Sequence, residues 1–139
     1  MRLVFGEKDA PYEEARVVVL PVPYALSRSF LPGARRGPEA ILLASRELEP
    51  FLLELGAAPE EVGIHAAEPV PWVAGMAEES HRLIREEALK HLRAGKWLVA
   101  LGGDHSVTHP LVQAHREALG EVSLLHVDAD AALYPEWQG

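Results

Sequence analysis

Two short segments carry residues able to hold a metal ion. In Leu101-Gly102-Gly103-Asp104-His105-Ser106 an apolar run ends in a double glycine followed by a carboxylate and an imidazole. Two glycines let the backbone turn sharply and approach a ligand closely, and a neutral imidazole at such a turn is a metal ligand. In Leu125-His126-Val127-Asp128-Ala129-Asp130 an extended chain sends His126, Asp128 and Asp130 to one side. Carboxylates at neighbouring positions suit Mn²⁺ or Mg²⁺, which take oxygen ligands. Two such charges repel unless a cation lies between them. The plainer alternatives are a turn with an ordinary polar histidine and a solvated acidic loop.

These residues need a rigid frame, and the chain supplies alternating elements. Arg16 to Leu20 is a β-branched apolar run ended by Pro21 and Pro23, which predicts a strand buried on both faces. Gly37-Pro38 opens a helix to about Glu49, with Ile41, Leu42 and Leu48 as its apolar stripe. A short strand is expected at Val62 to Ile64. A long helix follows from Gly75 to Ala94, with Met76, Leu83, Ile84 and Ala88 on one side and Gly95 ending it. Trp97 to Leu101 reads as a second buried strand, Pro110 to Leu119 as a helix capped by Gly120, and Val122 to Val127 as a last strand.

Strands alternating with helices predict a three-layer α/β/α domain with a mainly parallel sheet, spanning residues 1–139. Sites in such sheets form at the carboxyl ends of strands, which is where both polar segments begin. Four strands leave an exposed sheet edge, so the expectation is a part of a longer domain or of a larger assembly, and a homo-oligomer rather than a lone monomer.

Composition narrows the function. At 139 residues with 48% apolar content, the chain has material for one core. A formal net charge of −8 argues against nucleic acid and acidic membrane surfaces and favours a cationic partner. No cysteine is present, which excludes disulfides and thiol chemistry and fits a cytoplasmic protein. No apolar stretch reaches the roughly 18 residues of a membrane span.

Asp128-Ala129-Asp130 after an apolar strand also resembles the D-x-D motif of haloacid-dehalogenase-like phosphatases. That family places Thr or Val where Ala132 stands, and it carries the motif near the N-terminus, whereas about nine-tenths of this chain precedes it. A second resemblance covers more. Gly33-Ala34-Arg35-Arg36-Gly37-Pro38-Glu39-Ala40-Ile41, Gly102-Gly103-Asp104-His105-Ser106 and His126-Val127-Asp128-Ala129 resemble, in order and separation, three blocks of the ureohydrolase family of arginases and agmatinases. The first block takes the agmatinase-like form. The three blocks span nearly all of the chain and the first half of the family's domain.

That resemblance implies an arginase-like fold, two Mn²⁺ ions and hydrolysis of a small guanidino substrate with release of urea. On matching positions it makes His105 a ligand of the first metal, Asp128 a bridge between both, and Asp130 a substitute where the family has His. Asp104 is expected to hold its loop. Ala132 stands where the family has a final Asp, and the family's later acidic pair corresponds to nothing before Gly139. The alternative is therefore a degenerate or truncated, non-catalytic module that binds metal weakly. His81, His91 and His115 are expected to be packed or solvated on helices, His109 to serve a turn, and His126 to support the ligands from behind or pack beneath the site rather than ligate. Arg35 and Arg36 would anchor a loop or stay solvated, and Trp72, Trp97 and Trp137 would be core or interface.

Overall fold

The computed structural model describes residues 4–26 and 33–129. Its centre is β1, Val17–Val22, which pairs in parallel with β2, Ile64–Ala66, on one side and with β3, Trp97–Gly102, on the other. The register runs from Val17 opposite Trp97 to Val22 opposite Gly102. Helix α1, Gly37–Ala44, precedes β2; α2, Ala77–Arg93, joins β2 to β3; and α3, Thr108–Leu119, follows β3.

Alternation along β1 builds the three layers. Val18, Leu20 and Val22 face Ile84, Ala88, Leu89 and Leu92 of α2 and Ala114 of α3. Val19 faces the opposite side, with Leu42 of α1 and Ile64 and Ala66 of β2. A strand that must be apolar on both faces reads as a continuous run, and β1 is such a strand.

β1 continues through Pro21 and Val22 instead of ending at Leu20. Pro21 fits because its nitrogen faces the β2 side, where pairing has stopped at Val19. No ladder bond is lost there, and the Pro21 carbonyl still accepts from the Val70 N–H at 2.9 Å. The second strand forms at Ile64–Ala66, after a 3-10 turn over Pro59–Val62. In α1 only Leu42 of the expected stripe is buried, while Ile41 and Leu48 are exposed. The α-helix stops at Ala44 and tightens into a 3-10 turn at Ser45–Glu47.

Helix α2 keeps its apolar side at Ile84 and Ala88, with Leu83 partly buried and Met76 exposed at its start. It ends in a paired closure at Gly95, whose φ is 72°. The Gly95 N–H meets the Leu92 carbonyl at 3.0 Å and the Lys96 N–H meets the His91 carbonyl at 3.1 Å, satisfying carbonyls that a helix end otherwise orphans.

Two expected strands behave differently. β3 forms, but Trp97 is 74% exposed and Val99 46%, so it is not buried on both faces. On that side Leu42 of α1 packs with Val19, Ile64 and Ala66, and of the β3 side chains only Leu101 joins them. Val122 to Val127 forms no strand, and Leu124, Leu125 and Val127 are exposed. The described sheet therefore has three strands rather than four. No helix among the described residues is long and apolar enough to cross a membrane.

Candidate metal centre at the carboxyl end of β3

The turn after β3 is set by contacts that leave no room for side chains. A Cβ on Gly103 would lie 2.3 Å from the Tyr24 carbonyl oxygen and 3.3 Å from the Ala34 carbonyl oxygen. A Cβ on Gly102 would lie 2.6 Å from the Val107 side chain. The close approach is thus to the protein's own backbone and core rather than to a ligand, and neither glycine needs a positive φ.

Asp104 follows as the cap of a 3-10 turn over His105–Val107. Its Oδ1 accepts from the Ser106 N–H at 3.1 Å and from the Ser106 hydroxyl. Its own N–H donates to the Tyr24 carbonyl at 3.2 Å. The carboxylate therefore holds the loop, and beside it burial and the Asp104 charge push the Tyr24 phenol up from its ordinary 10.0.

His105 projects from this turn, half exposed. Its Nδ1 lies 3.3 Å from Asp128 Oδ2, and His126 Nε2 lies 3.5 Å from the same oxygen. The two imidazole rings meet edge to face, with centroids 5.0 Å apart. One donor atom from each of His105, His126 and Asp128 falls within 4.8 Å of the others. Two imidazoles and a carboxylate so close fit a divalent ion that accepts mixed nitrogen and oxygen ligands, such as Mn²⁺. The set also suits a plain ion-pair cluster.

Of the three residues expected as ligands, His105 and Asp128 come together. Asp130 lies outside the described residues, as do Ala132 and Trp137. His126, expected to stand behind the ligands or pack beneath the site, lies with its Nε2 3.5 Å from Asp128 Oδ2. The alternation that groups His126 with Asp128 was the signal for this.

The other histidines are placed by packing. His91 is buried, and the Tyr12 hydroxyl stands 3.0 Å from its Nδ1. His81 meets the Tyr24 ring edge-on, with His109 beyond it. His115 Nδ1 contacts the Leu111 carbonyl at 2.8 Å. The Arg35 guanidinium stands 4.3 Å from the centre of the Trp72 ring.

The Arginase family model matches residues 15–139. The chain is 96% identical, over its whole length, to an N(1)-aminopropylagmatine ureohydrolase of Thermus thermophilus, of which it covers 47%. It is 33% identical to the agmatinase of Bacillus anthracis over 98% of its own length and 47% of that protein's. Among solved structures it resembles the proclavaminate amidino hydrolase of Streptomyces clavuligerus with a TM-score of 0.84 and 25% identity, covering 97% of this chain and 44% of that one. The chain spans about half the length of the curated relatives it matches. With the family model running from Ala15, two residues before β1, through the cluster of His105, His126 and Asp128 to residue 139, the chain belongs to the arginase family.

Proposed function

We propose that the chain forms the metal-binding first half of a Mn²⁺-dependent, agmatinase-like ureohydrolase, which hydrolyses a linear guanidino compound and releases urea. The observation that carries this reading is the meeting of His105 and Asp128 beside the end of a parallel strand, where α/β enzymes build their sites. His105, Asp128 and Asp130 are the proposed ligands, with His126 as an additional donor. A cation bound there supplies Lewis-acid activation of water at neutral pH. The protein's part is to hold the donors still: Asp104 fixes the turn that carries His105, and Gly103 seats that turn on Tyr24 and Ala34.

The name of the relative at 96% identity supports N(1)-aminopropylagmatine as substrate and that of the relative at 33% supports agmatine, and the net charge of −8 favours such cations. Exposed Phe51, Leu53 and Leu55 support a homo-oligomer, and the lack of cysteine supports a cytoplasmic setting.

The test is urea release from agmatine and N(1)-aminopropylagmatine with added Mn²⁺, measured for this chain joined to the second half of its Thermus relative. Urea above a protein-free blank is expected, and none would overturn the reading. A non-catalytic, weakly metal-binding module is the second reading, favoured by Ala132 in place of the family's Asp. The double change Asp130→His and Ala132→Asp separates the two. Large gains in Mn²⁺ affinity and urea release, from a parent with almost none, would favour the second.

A further inference from the structure

Residues 33–36 and 67–76 come together over the carboxyl end of the sheet, and one contact joins them. The 67–76 segment is fastened on both sides of Trp72. On one side the Val70 N–H donates to the Pro21 carbonyl of β1 at 2.9 Å. On the other the Val73 N–H donates to Ser80 Oγ of α2 at 3.0 Å, and that fully buried hydroxyl donates to the Met76 carbonyl at 3.0 Å. Trp72 is thus presented from a braced loop, and the Arg35 guanidinium stands 4.3 Å from its ring centre.

Arg35 directly follows Ala34, whose carbonyl is one of the two backbone oxygens closing on Gly103. Two residues on, Gly37 lies against the Gly102 carbonyl, 3.6 Å from where its Cβ would be. The short segment from Ala34 to Gly37 therefore forms one wall of the turn that carries His105. The Arg35 guanidinium of that segment stands over the indole ring of Trp72.

We propose that Arg35 and Trp72 are positioning residues: their contact clamps the Ala34–Gly37 wall onto the Gly102–Gly103 turn and so fixes His105 opposite Asp128. Neither residue touches the donor cluster. The effect on metal binding rests on the proposed function, but the effect on the turn does not. An exposed cation–π contact of this kind changes an equilibrium by roughly two- to five-fold.

The turn carries its own reporters. The amides of Asp104, Ser106 and Val107 donate to the Tyr24 carbonyl, Asp104 Oδ1 and the Asp104 carbonyl. Hydrogen exchange at these amides is measured in the metal-free chain for Arg35→Ala, Trp72→Ala and the double variant. Each single change is expected to speed exchange by roughly two- to five-fold there, with amides in the middle of α2 unaltered. The double variant should match the singles, because both remove one contact. Arg35→Lys and Trp72→Phe, which keep a cation over a ring, should recover most of the protection. Unaltered exchange at the three amides, equal acceleration throughout the sheet, or additive single effects would each overturn the proposal. Mn²⁺ titration of the same proteins adds a separate arm. If neither this chain nor its fusion to the second half of its Thermus relative binds Mn²⁺, the proposed function fails while the exchange result still decides the clamp.

Discussion

His105 and His126 face each other across a single carboxylate oxygen: Asp128 Oδ2 is 3.3 Å from one ring and 3.5 Å from the other. A carboxylate shared by two imidazoles is either a small ion-pair cluster or a set of donors for a cation. Removing its members one at a time distinguishes these.

Asp128→Ala and His105→Ala are each expected to weaken Mn²⁺ binding by more than about 100-fold, since loss even of an outer partner costs on the order of 10–100-fold. His126→Ala is expected to cost at least about tenfold. Calorimetric titration checks all three. If His126→Ala leaves affinity unchanged, His126 is a neighbour of the site and not a donor.

Gly103→Ala drives a methyl carbon to within 2.3 Å of the Tyr24 carbonyl oxygen, a backbone atom that cannot swing aside. A loss of about 1–3 kcal/mol is expected, as for overpacked cores. Gly95→Ala meets no atom within 4 Å but must keep φ at 72°, and should cost about 1–2 kcal/mol from backbone strain alone. Denaturant midpoints compare the two, and only Gly103→Ala should also disturb metal binding.

Acid should weaken the fold through His91. Burial is the main cause that holds its pKa below the ordinary 6.5, with Lys90 and His65 adding to it and Glu87 opposing. The unfolded chain therefore binds a proton at this site more readily than the folded one. The stability tied to neutral His91 is fully present above pH 6.5 and is lost as pH falls through the folded value. His81, lowered mainly by burial and next by His109, acts in the same direction. Urea midpoints measured downward from pH 7 should fall below 6.5, and less steeply in His91→Gln, which keeps an acceptor for the Tyr12 hydroxyl.

Ile84→Ala removes a side chain that is 1% exposed in the α2 layer and should cost about 2–5 kcal/mol. Leu125→Ser alters one that is 87% exposed and should stay within about 0.5 kcal/mol in this chain. A large loss from Leu125→Ser would show that the 122–127 segment is covered.

Local chemistry made much of this legible. The continuous run in β1, the helical spacing of Ile84 and Ala88, the glycines after α2 and α3 and the G-G-D-H-S turn are all short-range signals, and each marks its element, although β1 runs two residues past the end that Pro21 suggested. His105 and Asp128 could be picked out because imidazole and carboxylate at strand ends have a defined use. Tertiary structure decided what those signals could not. Pro21 stays in a central strand because its partner β2 has already ended. Trp97 and Val99 are open although β3 pairs along its length with the buried β1, because among the described residues only α1 contributes a helix to that side. His105, 21 residues earlier in the chain, meets His126 and Asp128 only because the fold brings the turn after β3 beside the 126–128 segment. Periodicity reports which residues share a side; whether that side is covered depends on elements far away in the chain, and only the assembled layers settle it.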